Sequence, residues 1–422
     1  MTFHETVLQN GLTVIGEHNP EAQSFAAGYF VKTGARDETH EVSGVSHFLE
    51  HMMFKGTDTR SAEAINLEFD AIGANYNAYT SDERTVYYGA VLPERGAALV
   101  DLLSDMMRPA LREDDFTLEK NVILEEIAMY EDRPSFKVFE EGNARFYGGH
   151  PLGQSILGSP ESIRALTQSQ MLSYFRARYA SDNLFLVVAG HYDWDAVVAQ
   201  LEALTRDWQP SGASRLYPEL SGAVGDDRVS LPTLARSHTA LYAPGVGADD
   251  PLRSAAGVLA TCLGGGSGRL YWALLDNGLA DSASLSHDAA DGAGVFVGYL
   301  STSPAEQAAA LASYREVLTR AQDEGVTDEE WRRAQRKLAT GLTLRGETPF
   351  GRLMSLGVRY QQEARYVSVQ ETLAQIESAS PADAAELLSR RPFDAMFSLT
   401  LEPEEVEETR ADAESDETDE VS

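Results

Sequence analysis

Residues 46–54, with the sequence Ser-His-Phe-Leu-Glu-His-Met-Met-Phe, constrain this chain most strongly because their side chains follow helical spacing. His47, Glu50 and His51 are related as i, i+3 and i+4, which brings them to one face of an α-helix. Two neutral imidazoles one turn apart can bind one zinc ion, and the carboxylate between them can act as a general base. The segment therefore predicts a helix that carries a zinc site of the H-x-x-E-H type. The alternative is an ordinary amphipathic helix whose histidines point to solvent.

A second segment, residues 119–130, supports the metal site. It contains neither Gly nor Pro, and Glu119 and Glu126 are seven residues apart, so a helix would place both on one face. Glu125 would lie about 100° around the helix from Glu126. An anionic third ligand suits zinc and leaves a fourth position for water. Spacing alone only weakly favours Glu126 over Glu125, and a solvated acidic helix is the alternative.

The chain resembles peptidases of the M16 family, also called the pitrilysin or mitochondrial-processing-peptidase family. In that family a ligating glutamate follows H-x-x-E-H by some 75 residues, and here 126 − 51 = 75. The family also carries a second acidic residue seven positions before that ligand, which corresponds to Glu119. The resemblance extends over almost the whole chain, through residues 44–57, 75–81, 85–88, 150–153 and 156–158.

The resemblance implies the role of each site residue. His47, His51 and Glu126 would bind Zn²⁺, Glu50 would be the general base, and Glu119 would be a second carboxylate that orients a ligand histidine. The expected fold is α+β, with two homologous domains that each contain a mainly antiparallel sheet backed by helices. Only the first domain would hold this metal, because the second half lacks its own H-x-x-E-H pattern.

Residues 75–81 alternate in character and are rich in Asn, Thr and Tyr, which predicts a strand. If the strand lies at a sheet edge, its free N–H and C=O groups can pair with an extended peptide. The family resemblance implies that Asn77 and Ala78 hold the substrate backbone and that Tyr79 shapes the pocket beyond the scissile bond. An ordinary hydrophobic strand is the alternative.

A chain of 422 residues is long enough for two domains of about 200 residues. A stretch rich in Pro, Ser and Gly predicts the boundary between them. We expect a catalytic domain at 1–208, a linker at 209–222, a second domain at 223–401 and a disordered tail at 402–422. The tail carries eleven acidic residues and one arginine and lacks apolar periodicity.

The net charge of −32 disfavours nucleic acid as a partner, since phosphate binding requires clusters of Lys and Arg. The N-terminal residues resemble no secretory signal, and no run of about 20 apolar residues predicts a membrane span. The single cysteine, Cys262, lies in an apolar run and excludes an internal disulfide. These features together predict a cytoplasmic protein. Six other histidines are isolated in the sequence and are expected to be surface or hydrogen-bonded residues rather than ligands: His4, His18, His40, His191, His238 and His287.

One departure from the family predicts a partner subunit. Peptide-cleaving members carry an Arg and a Tyr in a C-terminal pattern like R-E-x-x-G-L-A-Y, and these side chains hydrogen-bond the substrate carbonyl. Here Leu275 and Asp281 stand at those positions, in a stretch one residue shorter. Recruitment of Arg269 or Tyr271 through a shifted alignment remains open. We expect a heterodimer with a paralogue that lacks the zinc motif but supplies the Arg and Tyr; a homodimer is the alternative.

The sequence thus predicts a zinc-dependent endopeptidase or oligopeptidase that acts on short, extended or unfolded peptides. A non-catalytic assembly subunit is the main alternative, since this fold also serves as a scaffold in respiratory complexes. Scaffolds of that kind usually lose motif residues, whereas all four central motif residues are present here. A zinc enzyme acting on non-peptide amides is a third possibility, but it leaves the predicted peptide-binding strand unexplained.

Overall fold

A computed structural model of the protein describes residues 1–404, which form two β-sheets covered by helices. The strands are β1 (Thr2–Val7), β2 (Thr13–His18), β3 (Phe25–Val31), β4 (Asn75–Thr80), β5 (Thr85–Val91), β6 (Leu184–Gly190), β7 (Gly225–Leu231), β8 (Ser237–Pro244), β9 (Ser282–Ala290), β10 (Ala293–Thr302) and β11 (Phe397–Pro403). The helices of the first half are α1 (Val45–Met52), α2 (Ala62–Ala71), α3 (Gly96–Met106), α4 (Glu113–Glu131), α5 (Pro134–Tyr147), α6 (Pro160–Ala165), α7 (Gln168–Arg178) and α8 (Trp194–Thr205). Those of the second half are α9 (Arg253–Gly264), α10 (Gln307–Glu324), α11 (Asp328–Arg345), α12 (Pro349–Glu363), α13 (Val369–Ser378) and α14 (Pro381–Ser389).

The two sheets share one topology. The first sheet has the order β1-β2-β6-β3-β5-β4 and the second has the order β7-β11-β8-β10-β9. Without β1 the two orders correspond strand for strand, and each contains one parallel pair, β2 with β6 or β7 with β11, among antiparallel neighbours. The structure therefore confirms the predicted α+β class with two homologous, mainly antiparallel sheets. It also makes β4 and β9 the equivalent edge strands.

The two halves exchange one helix each. Helix α12 packs on β3 and β6 of the first sheet, where Leu353 and Leu356 join a buried cluster with Phe30 and Phe185. Helix α5 packs on β8 and β11 of the second sheet in the same way. Strands that are covered on both faces read as continuous apolar runs, and β6 is buried along its entire length. Neither sheet is therefore completed by the residues of its own half.

Each exchanged helix approaches its sheet through a glycine. A Cβ atom on Gly357 of α12 would lie 2.2 Å from the Phe30 ring, and a Cβ atom on Gly142 of α5 would lie 2.6 Å from the Tyr242 hydroxyl. Real Cβ atoms do not approach other atoms this closely, so a larger residue would push the helix away from the sheet. The absence of a side chain at these two positions sets the distance between helix and sheet.

Buried charges join the tips of the two corresponding hairpins. Glu83, in the turn between β4 and β5, accepts a hydrogen bond of 3.0 Å from the backbone N–H of Asp291, in the turn between β9 and β10. Arg36 donates to both Glu83 and the Asp291 carbonyl at 2.6 Å. Arg215, in the connection between the halves, pairs with Asp37 through two hydrogen bonds of 2.7 and 3.0 Å. Arg215 also forms an ion pair of 3.6 Å with Asp291, so the predicted linker is held against both halves.

The predicted boundaries can be compared with the elements. Helix α8 ends at Thr205 and β7 begins at Gly225, so the linker predicted at 209–222 falls in a stretch without helix or strand. Strand β11 extends through Pro403, so it includes the first two residues of the predicted tail. The rest of the predicted tail, from residue 405 onward, lies outside the described residues. Within residues 1–404, no helix combines the length and apolar character needed to cross a membrane.

Candidate functional site

Helix α1 carries the H-x-x-E-H residues and is held by its buried face. Val45, Phe48, Leu49 and Met52 are fully buried in the first-half core. The carboxylate of Glu38 accepts hydrogen bonds from the backbone N–H groups of Gly44 at 2.6 Å and Ser46 at 2.7 Å. These contacts satisfy two of the free donors at the start of the helix. The apolar face thus buries one side of α1 and leaves His47, Glu50 and His51 on the other.

Helix α4 packs against α1 and brings its carboxylates to these histidines. Oε2 of Glu126 lies 3.7 Å from Nε2 of His47 and 3.5 Å from Nε2 of His51. Glu125 is exposed, so of the two candidate third ligands only Glu126 reaches the histidines. Within residues 1–404, these three side chains are the one group of His, Cys, Asp or Glu whose ligand atoms all lie within 4.8 Å of one another.

Glu119 contacts His51 rather than the candidate metal position itself. Its Oε1 lies 2.9 Å from Nδ1 of His51, and its Oε2 forms an ion pair of 2.5 Å with Nζ of Lys55. Burial alone would raise the pKa of Glu119, but the hydrogen bonds to His51 and Lys55 outweigh burial and lower it. The carboxylate therefore stays ionised and orients His51 with Nε2 directed at Glu126.

The two histidines lie in different electrostatic environments. Burial and the neighbouring His51 lower the pKa of His47 to about 3, so its imidazole is neutral and available as a ligand. Burial also favours neutral His51, but the hydrogen bond to Glu119 and the charge of Glu126 outweigh burial and raise its pKa. A metal ion bound at this position would displace the proton from His51, as expected for coupled metal and proton binding.

Glu50 lies on the same face of α1 as the histidines. Burial raises its pKa, although a hydrogen bond of 2.6 Å from the Thr80 hydroxyl to Oε2 acts in the opposite direction. A raised pKa is typical of a carboxylate that exchanges protons near neutral pH. Thr80 is the last residue of β4, so this hydrogen bond joins the candidate base to the predicted substrate strand.

The strand predicted at residues 75–81 is β4, and it lies at the edge of the first sheet. The backbone N–H of Ala78 bonds to the side-chain Oδ1 of Asn77 at 2.8 Å rather than to β5. It must therefore point toward the open edge, where an extended peptide could replace the Asn77 side chain as acceptor. The arrangement places Asn77 and Ala78 where an added strand would pair.

Tyr79 lies on the other face of β4. Its side chain packs against the cluster that α12 completes, whereas Tyr76 and Ala78 pack on the core beneath α1. This division follows from the two-residue alternation of a strand. Tyr79 can contact only those side chains of an added strand that point away from α1. The aromatic ring on the metal-site face is that of Tyr76, which stacks on Phe69 with ring centroids 3.9 Å apart.

Sequence reasoning missed Glu38, Lys55 and Thr80. Lys55 follows His51 by four residues, and Thr80 follows Ala78 by two, so helical and strand periodicity could have indicated both. Glu38 precedes α1 in a loop and gave no such signal.

Three of the remaining histidines, which are far apart in the sequence, lie near one another in the structure. The ring centroid of His18 lies 6.3 Å from that of His4 and 6.1 Å from that of His191. Pairing of β1 with β2 and of β2 with β6 brings these residues together. Their ligand atoms do not converge within the 4.8 Å that defines the cluster at His47.

Within the described residues, the two positions where the family pattern has its Arg and Tyr, Leu275 and Asp281, carry no side-chain donor for an oxyanion. Leu275 packs on the second-half core, and Asp281 forms an ion pair with Arg236. Arg269, the open alternative, donates two hydrogen bonds of 2.7 and 2.9 Å to Glu330. That pairing occupies the guanidinium group. Of the alternatives left open by the sequence, only Tyr271 lacks such a competing ion pair.

A cavity of 660 Å³ lies between the halves and begins at Ser81, the residue after Thr80. The turn between β4 and β5 lines one side, and α5 and β9 line the others. Burial, together with the charge of Glu83, raises the pKa of Asp82 in this cavity to about 6. The substrate strand predicted on β4 therefore leads directly toward a polar space between the two sheets.

Comparison with known proteins gives consistent matches over the chain. The family model described as "Insulinase (Peptidase family M16)" matches residues 13–160, and the one described as "Peptidase M16 inactive domain" matches residues 165–338. A curated relative from Streptomyces coelicolor, called an uncharacterized zinc protease, is 34% identical over 410 residues, covering 93% of this chain and 88% of the relative.

Two solved structures share the fold. The structure titled as a peptidase M16 inactive domain from Pseudomonas fluorescens has a TM-score of 0.87 at 19% identity, covering 96% of this chain and 98% of that one. A chain of complex III2 from Candida albicans has a TM-score of 0.80 at 18% identity, covering 94% of this chain and 95% of that one. At these identities the likeness concerns the fold alone.

Proposed function

The chain belongs to peptidase family M16, and from this premise we propose that it is a zinc-dependent peptidase that hydrolyses short or unfolded polypeptides. The observation that carries the proposal is the convergence of His47, His51 and Glu126, with Glu50 on the same face of α1. Curated relatives named zinc proteases add support at the level of the family.

The three side chains fit a zinc ion. Oε2 of Glu126 is buried and has no hydrogen-bond partner among residues 1–404, and it faces the Nε2 atoms of both histidines. Tetrahedral zinc with bonds of about 2.0–2.1 Å separates its ligand atoms by roughly 3.3 Å, close to the distances found here. Two imidazoles and one carboxylate also form a common donor set for catalytic zinc.

A zinc ion held by His47, His51 and Glu126 would supply Lewis acidity and lower the pKa of water. Glu50 accepts a proton from the attacking water and can later return it to the leaving amine. Glu119 keeps His51 oriented. The edge of β4 at Asn77 and Ala78 holds the substrate as an added strand. Pairing through the backbone does not depend on side chains, which suits broad specificity.

We further propose that a second subunit completes the site. Within the described residues, the positions of the family Arg and Tyr hold Leu275 and Asp281, and Arg269 is paired with Glu330. An oxyanion donor contributes about 3–4 kcal/mol in other hydrolases, so its absence would be costly. A paralogue with the Arg and Tyr but without the zinc motif fits this requirement. Coexpression with such a paralogue should give a complex of both chains and raise peptide cleavage. Full activity of the isolated chain would contradict this part of the proposal.

The central test combines metal analysis with cleavage of a quenched peptide library by the subunit complex. We expect about one zinc per chain and hydrolysis in the wild type. Glu50→Gln should keep the metal and lose about 100- to 10,000-fold in kcat, because only the base is removed. His51→Ala should lose the metal. Glu125→Gln, an exposed neighbour of the ligand, is the matched control and should change neither property.

A non-catalytic scaffold is the competing function, since the fold is shared with a chain of complex III2 from Candida albicans. The same measurements separate the two functions. A gently purified protein without zinc and without cleavage in any subunit combination would favour the scaffold. Near-normal hydrolysis by Glu50→Gln would instead refute the proposed mechanism.

A further inference from the structure

Within residues 1–404, the carboxylate of Glu50 has one hydrogen-bond partner, the hydroxyl of Thr80. The Oγ1 to Oε2 distance of 2.6 Å lies in the range of hydrogen bonds from a hydroxyl to an ionised carboxylate, which are stronger than neutral ones. The two residues are 30 positions apart and belong to different elements, α1 and β4. The contact therefore depends on the tertiary structure.

The surrounding hydroxyl groups are engaged elsewhere. Thr85 donates to the carbonyl oxygen of Thr33 at 3.0 Å and lies 3.5 Å from Thr80, at the limit of a hydrogen bond. Tyr87 and Tyr179 hydrogen-bond to each other at 2.9 Å. Burial raises the pKa of both phenols, and the nearby charge of Glu50 acts in the same direction. Of these hydroxyl groups, it is that of Thr80 that contacts Glu50.

The position of Thr80 on β4 also connects Glu50 with the proposed substrate strand. Alternation along the strand puts Thr80 on the same face as Ala78, toward α1. Ala78 presents its backbone N–H to the open edge, where the proposed substrate strand would pair. A peptide bound along β4 would therefore order the strand that ends at the residue holding the general base.

We propose that Thr80 is a positioning residue that holds Glu50 in its reactive orientation and links it to the substrate strand. This inference rests on the proposed peptidase function. Thr80 occupies Oε2 of Glu50 and leaves Oε1 to accept the proton of the attacking water. A base that loses this contact can adopt other rotamers, and misplacement of a reacting group by about 1 Å can cost on the order of 100-fold in rate.

The test compares Thr80→Val, which keeps the shape but removes the hydroxyl, with Thr80→Ser, which keeps the hydroxyl. In the active subunit complex we expect Thr80→Val to lower kcat about 10- to 100-fold, with KM and zinc content unchanged. Thr80→Ser should retain most of the activity. Thr85→Val, which removes the neighbouring hydroxyl, should lower the melting temperature but leave kcat near the wild-type value.

Two further measurements address the mechanism directly. In a Glu50→Gln background, Thr80→Val should cause little additional loss of kcat, because the two residues act through one contact. Crystal structures of zinc-loaded Thr80→Val and Thr80→Ser should show the Glu50 carboxylate displaced in the first variant and retained in the second. This structural comparison remains decisive even if the wild type cleaves no tested peptide, which would refute the proposed function itself.

Three outcomes would overturn the proposal. The first is a kcat of Thr80→Val within twofold of the wild type. The second is an increase in KM with kcat unchanged, which would make Thr80 a substrate-binding residue only. The third is an unchanged Glu50 position in the crystal structure of Thr80→Val.

Discussion

Nδ1 of His51 lies 2.9 Å from Oε1 of Glu119, and this hydrogen bond directs the other ring nitrogen, Nε2, at the candidate metal position. Lys55 holds the other oxygen of Glu119. His51 is therefore oriented by a carboxylate from α4, which is in turn held by a cation just beyond the end of α1.

This relationship predicts the effect of Glu119→Gln on zinc affinity. The amide is a weaker acceptor than the carboxylate, so His51 becomes a less basic and less ordered ligand. Loss of such a partner typically weakens metal affinity about 10- to 100-fold. Competition titration with a zinc chelator measures the dissociation constant, and Glu125→Gln on the same helix serves as the control. Equal zinc affinities for Glu119→Gln and the wild type would exclude an orienting role.

The close approach of α12 to the first sheet predicts that Gly357→Ala destabilises the protein. Overpacking against the Phe30 ring costs about 1–3 kcal/mol, which should exceed the gain of about 1 kcal/mol from better helix propensity. Gly341→Ala in α11 is the matched control, because no atom lies within 4 Å of the added Cβ. Thermal or urea unfolding should show a lower stability for Gly357→Ala and an equal or higher one for Gly341→Ala. A stabilised Gly357→Ala would mean that α12 does not pack this closely.

His287 predicts a loss of stability in acid. Burial and the positive charge of Arg253 lower its pKa to about 4, and its Nε2 accepts a hydrogen bond from the N–H of Val246. In the unfolded chain, His287 binds a proton near pH 6.5. The contribution of neutral His287 to the free energy of unfolding is therefore complete above that pH and is lost as the pH falls toward 4. The difference of about 2.5 units corresponds to about 3 kcal/mol. The free energy of unfolding of His287→Gln should depend less on pH between 7 and 4 than that of the wild type. Parallel pH profiles for both proteins would contradict this assignment.

The charge of the chain predicts that salt stabilises it. With 66 acidic residues against 34 basic ones, repulsion between carboxylates outweighs the surface ion pairs, which contribute little individually. Raising the ionic strength from 0.01 to 1 M shortens the Debye length from about 30 to 3 Å and screens this repulsion. The melting temperature should therefore rise with added KCl, with an equal osmolarity of an uncharged solute as the control. A lower melting temperature in salt would show that the ion pairs dominate.

The sequence by itself determined the local elements of the site and, through its family motifs, the fold class. Spacing within α1 placed His47, Glu50 and His51 on one face of that helix. Spacing within α4 likewise placed Glu119 and Glu126 on one face, because helical periodicity depends only on neighbouring residues. Alternation likewise predicted β4 as a strand. These features lie within one element each, so no knowledge of distant contacts was needed.

Only the tertiary structure decided which of these faces meet. It brought Glu126 of α4 to the two histidines of α1, joined Thr80 to Glu50, and brought His4, His18 and His191 together. It also showed that α5 and α12 exchange sheets, so that neither half completes its own core. Such contacts depend on the packing of elements that are far apart in the chain, and a single sequence carries no local periodicity that specifies them.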